Sequence, residues 1–174
     1  PDPDGDIAYT IVTEAAVSTD TNYSGLNAPD VAVTNADNDT PGITVNPTAG
    51  LTTTEAGGAA TFTVVLNTAP ADSVTIGLSS SDTTEGTVSP ASVTFNAGNF
   101  ATPQTVTVTG VDDPDVDGDI AYTIITAPAV STDPNYDGQD AVDVAVTNLD
   151  NETSGGGSII VTPTALTISE PDGS

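Results

Sequence analysis

The chain contains no lysine, arginine, histidine, cysteine, methionine or tryptophan. Each absence excludes something. Without basic side chains, no ion pair between side chains can form, and nothing can neutralise a phosphate backbone or an anionic membrane surface. Nucleic acid is therefore excluded as a partner. No apolar run approaches the roughly 20 residues that span a bilayer, and no signal-peptide pattern is present, so no membrane insertion is expected in this segment. Without cysteine there are no disulfides, which leaves the redox compartment unmarked and a small fold in need of another staple. Lacking His, Cys and Lys, and with no serine beside a base, the chain offers no activated nucleophile. It is read as not an enzyme.

What is present is acid. The 174 residues include 25 Asp and Glu, for a formal charge of −25. Such a charge opposes the compact state through self-repulsion, and a divalent cation is the natural neutraliser, calcium above all because it prefers oxygen ligands. Apolar residues make up 36% and aromatics 4%, so any core is packed with Val, Ile, Ala and Leu, mostly strand formers. A disordered acidic chain is the alternative, but the β-branched residues alternate regularly and the acids gather in loops.

Internal repetition organises the chain. Residues 1–39 align without gaps to 114–152, with 28 identities in 39 positions, including GDIAYT, AVSTD and DVAVTN. Residues 43–58 (ITVNPTAGLTTTEAGG) match 159–173 (IIVTPTALTISEPDG) with one deletion near Gly50. The period of about 113 to 116 residues is the size of one sandwich domain. The expected division is 1–42 as the end of one repeat (its last two strands and a linker), 43–157 as a complete repeat, and 158–174 as the first strand of the next. Such a division reads as a window onto a longer polymer.

Period-two alternation predicts strands at 43–45 continuing at 51–54, then 60–66, 74–79, 87–88 with 92–95, 104–109, 120–126 and 142–147. Val142, Val144 and Val146 are expected to face inward in the last. Gly, Pro, Asn and Asp punctuate the gaps, and no helical periodicity appears. The fold class expected is all-β: tandem immunoglobulin-like, seven-stranded antiparallel sandwiches, beads on a string. Outward threonines are read as β-formers on a solvated face.

If strand direction alternates, the first, third and fifth turns fall at one pole with the end of the last strand. Those are the acidic places: Glu55 in TEAGG, Asp82 and Glu85, the run VDDPDVDGD with Asp112, Asp113, Asp115, Asp117 and Asp119, and NLDNE with Asp150, Asn151 and Glu152. Converging carboxylates resist common ionisation, which a calcium ion would relieve. Within the run, Asp113, Asp115, Asp117 and Gly118 give D-x-D-x-D-G, suited to a loop wrapping one cation. It is no EF-hand, lacking the helices and the twelfth-position Glu; a solvated acidic turn is the bland alternative, and calcium is the preferred reading. At the other pole, STDPNYDGQD carries Asp133, Asn135, Asp137 and Asp140, which Asx-turns explain as well as metal does.

These residues resemble the Calx-beta family of calcium-binding repeats, over the whole unit 43–152 and both partial copies. The resemblance implies ligands at Glu55 after the first strand, at Asp112 and Asp113 opening the long loop, at Asp117 and Asp119 further along it, and at Asp150, Asn151 and Glu152 after the last strand. In the flanking copies the counterparts are Asp4, Asp6, Asp37, Asn38, Asp39 and Glu170. The family's Gly-x-Asp-Tyr motif is missing, its place taken by SSSDTTEGTVSP, which leaves the choice between Asp82 and Glu85 open. Asp119-Ile120-Ala121-Tyr122 stands where the family has Glu-Thr-Phe. The function expected is a structural repeat of an extracellular, secreted or cell-surface filament, stalk or adhesin of the bacterial surface type. Its partners would be calcium ions, neighbouring repeats and other copies of itself. The alternative is an adhesion module that grips a glycan or protein with its loops.

Overall fold

A computed structural model describes residues 5–153. Among them there is no helix, and eleven strands form. The first two, β1 (Ile7–Ile11) and β2 (Val31–Asn35), make an antiparallel hairpin. The others run from β3 (Ile43–Asn46) and β4 (Leu51–Thr54) through β5 (Ala59–Leu66), β6 (Val74–Ser80), β7 (Gly86–Ser89) and β8 (Ser92–Phe95). They finish with β9 (Gln104–Gly110), β10 (Ile120–Thr126) and β11 (Val144–Leu149).

These nine build two sheets, ordered β3-β5-β9-β7 and β4-β11-β10-β6-β8. Two strands change sheet midway. The first leaves β5 after Asn46 and resumes on β11 at Leu51; the fourth leaves β9 after Ser89 and resumes on β6 at Ser92. Each change contains a cis X-Pro bond, Asn46–Pro47 and Ser89–Pro90. Proline cannot donate to a ladder, so it belongs where pairing stops. Counting each split strand once leaves seven, with the first, second, fourth and fifth on one sheet and the sixth, seventh and third on the other. That is the immunoglobulin-like arrangement.

Alternation sets the core. Phe62, Val64 and Leu66 of β5, Val74, Ile76 and Leu78 of β6, and Val106 and Val108 of β9 are buried between the sheets. The threonines between them are at least partly exposed, as in the ieBiBiB pattern of β9. One expected inward residue is misplaced: Val142 is 66% exposed. Pairing of β11 with β10 begins only at Val144, opposite Ile124. Before it, the Asp143 carboxylate accepts the Thr126 amide at 2.8 Å and Ala141 O accepts the Thr126 hydroxyl at 2.9 Å, so side-chain bonding replaces the ladder.

Strand directions alternate, since β3–β5, β5–β9, β6–β10 and β10–β11 are antiparallel while β11–β4 is parallel. Consequently the β4–β5 turn, the β6–β7 connection, the β9–β10 loop and the end of β11 share one pole.

Candidate metal centre

Two glycines let the backbones at this pole close in. A side chain at Gly86 would strike the Tyr122 hydroxyl, and one at Gly110 would strike the Thr54 carbonyl. Beside them lie two groups of three carboxylates. Glu55, Asp112 and Glu152 each offer an oxygen within 4.8 Å of the others, and so do Glu85, Asp113 and Asp117. Both groups combine residues that are far apart in sequence.

The first group is anchored by Glu55, which sits buried in the tight β4–β5 turn. Its amide continues the parallel ladder to Leu149 O at 3.2 Å. Asn151 ties the group together: its backbone N–H donates to Glu55 Oε2 at 3.0 Å and its Nδ2 to Asp112 Oδ1 at 3.3 Å. Glu152 Oε2 is buried and, among the described residues, has no hydrogen-bond partner. The neighbouring Glu55 carboxyl, burial and Asp150 together push the Glu152 carboxyl up to about 7.

Asp150 plays a different part. Its Oδ1 accepts the Glu152 amide at 2.8 Å and its Oδ2 the Gly118 amide at 2.9 Å, while its own N–H donates to Asp119 Oδ1 at 3.2 Å. The Glu152 amide above all holds its carboxyl below the usual range. This carboxylate pins the β9–β10 loop to the chain leaving β11.

In the second group, Glu85 is buried and its carboxyl is raised, chiefly by burial. The Asn148 amide opposes that shift, and Asp117, Asp113 and Asp82 add to it. Asn148 Nδ2 reaches Glu85 Oε2 at 3.4 Å and Val111 O at 3.1 Å. Its Oδ1 accepts the Thr53 hydroxyl, which also meets Tyr122 OH, both at 3.0 Å. A buried polar chain thus runs from the core to this carboxylate. Asp117 is raised too, by burial and then by Asp113, with Glu55 and Asp150 adding to the effect. The two groups therefore share one electrostatic field.

Of the residues expected as ligands, Glu55, Asp112, Asp113, Asp117 and Glu152 fall in the two groups, and Asn151 bridges members of the first. Asp115 and Asp119 are exposed and outside both; the Asp115 amide donates to Asp113 Oδ1 at 2.8 Å. In the upstream copy, Asp37 accepts the amides of Gly5 and Asp39, and Asp6 accepts that of Asp37, all at 2.9 Å. These are the Asp150 and Asp119 bonds, 113 residues earlier. Asn38 lies between them, exposed. Asp4 and Glu170 lie outside the described residues.

Glu85, left open against Asp82, is the member that joins a group. Asp82 instead accepts the Thr84 hydroxyl at 2.6 Å and amide at 3.0 Å, bonds that lower its carboxyl. The role of Asn148 was missed. Its signal was the inward rhythm of Val144 and Val146, which lands next on an asparagine.

Carboxylates converging with no cationic side chain in the chain suit a hard dication. An ion held at about 2.3–2.6 Å by each oxygen keeps its ligands within about 5 Å of one another. The buried Glu152 oxygen, without a partner among the described residues, fits the same donor set.

What fold and site define is a class: an immunoglobulin-like β-sandwich with clustered carboxylates at one pole. No family model and no curated protein matches the chain. Among solved structures it is similar to the apo-form Calx CBD1 domain, at 16% identity and TM-score 0.49, over 63% of this chain and 96% of that one. It is also similar to WR4, an MSP family member of C. elegans, at 20% identity and TM-score 0.38 over 62% and 95%. Domains 4 and 5 of the S-layer protein SbsC give 22% and 0.38 over 70% and 59%. With such scores the fold assignment stands on the strand order above.

Proposed function

We propose that this chain is a structural repeat of an extracellular filament, stalk or adhesin, in which calcium held at one pole of each sandwich rigidifies the repeat ends and junctions. The observation that carries this reading is the pair of carboxylate groups, one with a buried oxygen that has no partner among the described residues, in a protein without a cationic side chain. Left alone, such groups repel and hold on to protons. Calcium supplies charge neutralisation and a multi-oxygen cross-link.

Glu55, Asp112 and Glu152 would hold one ion, and Glu85, Asp113 and Asp117 a second. The first matters most for assembly. Glu152 lies just beyond β11, so tying it to the β4–β5 turn and the β9–β10 loop fixes the direction in which the chain leaves the sandwich. The Calx-beta resemblance supports calcium, since the residues it points to include five of these six. An extracellular location suits this reading, because extracellular calcium modules work with dissociation constants of about 10⁻⁴–10⁻³ M. The role is mechanical and non-catalytic.

Limited proteolysis tests this reading, with an enzyme that cleaves beside apolar residues because trypsin has no site here. Calcium is expected to slow cleavage within residues 111–119 about tenfold, an effect a chelator reverses. Identical cleavage rates in calcium and chelator would remove the ion from the account.

A further inference from the structure

The two copies of the repeated segment have the same backbone and opposite surroundings. The β1–β2 register, Ile7 opposite Asn35 through Ile11 opposite Val31, is the β10–β11 register from Ile120 opposite Asn148 to Ile124 opposite Val144. The polar bonds repeat as well: the Thr13 amide donates to Asp30 at 2.9 Å as the Thr126 amide donates to Asp143 at 2.8 Å. Yet Tyr9 is 51% exposed where Tyr122 is 5%, and Tyr23 is 62% exposed where Tyr136 is fully buried. Ile11 and Val31 are exposed, whereas Ile124 and Val144 are not.

The sequence differences avoid this face. Nine positions of 114–152 are buried, and all nine hold the same residue 113 places earlier. All eleven differences between the copies fall at positions that are not buried downstream. The upstream hairpin therefore keeps every side chain needed to fill a sandwich core, polar members included. A lone two-stranded hairpin is marginal in water, and an apolar face of this kind marks an interaction surface.

We infer that the exposed face of the β1–β2 hairpin is a docking surface for a half-sandwich of the β3–β9 kind, supplied by another repeat of this same sequence. The occupant is identified by what covers the identical downstream face: Phe62, Val64, Ile76 and Val106 belong to the same buried core as Tyr122, Ile124, Val144 and Val146. A surface of different shape would leave the buried hydroxyl of the Tyr9 or Tyr23 position without the partners that Thr53 and Thr68 give Tyr122 and Tyr136. The surface uses no metal ligand, so this inference goes beyond the calcium reading and can fail separately from it.

The experiment extends the full chain by a second copy of residues 43–113 placed directly before Pro1, reproducing the natural Asp113–Pro114 junction. In calcium buffer, amides of Ile7–Ile11 and Val31–Asn35 are expected to exchange about a hundredfold more slowly than in the 174-residue chain. Ile11→Ser is expected to abolish that protection in the extended chain while leaving the melting of the original chain unchanged. Exchange as fast as in the original chain, whether the added segment folds alone or stays unfolded, would overturn the inference. So would protection indifferent to Ile11→Ser.

Discussion

Both poles of the sandwich are rich in acid, but they use it in opposite ways. At the β10–β11 end, Asp133 is buried with both oxygens engaged: Oδ1 accepts the Asn135 amide and Oδ2 the Ala71 amide, each at 2.8 Å. Asp137 accepts the Ser131 amide at 3.2 Å, and Tyr136 OH donates to Thr68 O at 2.7 Å. Backbone N–H groups satisfy these carboxylates, and two loops are clamped. At the other end Glu55, Asp112 and Glu152 face one another, and one buried oxygen has no donor among the described residues. Carboxylate count does not distinguish the poles. The distinction is that both Asp133 oxygens have backbone donors, whereas Glu152 Oε2 has no partner among the described residues.

The contrast can be broken in several ways. The largest effect belongs to Asp133→Ala. It removes two charge-assisted bonds and strands the Ala71 amide, so it should cost about 3 kcal/mol. Melting should show the same loss in calcium and in chelator. A loss that calcium rescues would move Asp133 into the metal account.

Glu152→Gln and Glu55→Gln should behave in the reverse manner. Each keeps the shape but removes charge from the first group, lowering calcium affinity at least tenfold by calorimetry. In chelator neither should melt earlier than the parent, because mutual repulsion is relieved. Equal destabilisation with and without calcium would reduce these residues to ordinary packing.

Acid titration sharpens the comparison. Glu152, Glu85 and Asp117 have raised carboxyls in the folded state. The stability they contribute is present below the unfolded values near 4 and is lost as pH rises through the folded ones, about 7 for Glu152. Asp72, Asp82 and Asp150 are depressed, so their contribution is present above the unfolded value and lost as pH falls. Metal-free protein should therefore melt highest at mildly acid pH and decline towards neutrality, while calcium abolishes the decline. A metal-free melting temperature rising steadily to pH 8 would contradict this.

The smallest effect is expected at Asp115→Asn. Exposed and outside both groups, it should change stability by less than about 0.5 kcal/mol and calcium affinity by no more than about twofold.

Much of this was legible in the residues. Alternating Val, Ile and Thr mark the strands because a pleated, half-buried surface rewards them. Alternating strand direction then places Glu55, Asp112 and Glu152 together without any three-dimensional information. Legibility failed where side chains bond to backbone. Val142 continues the rhythm of Val144 and Val146, yet Asp143 and Thr126 end the ladder before it. Glu85 could not be chosen over Asp82 because the choice depends on Thr84, whose hydroxyl and amide both engage Asp82, and on Asn148, which is 63 residues away from Glu85.

The most direct measurement is a calcium titration of the metal-free chain followed by thermal unfolding at each concentration. At a hundredfold excess over its dissociation constant, each ion adds about 2.7 kcal/mol, so the sandwich should gain about 10 °C or more. A melting temperature indifferent to calcium at pH 7.5 would leave the two carboxylate groups without an ion and contradict the account.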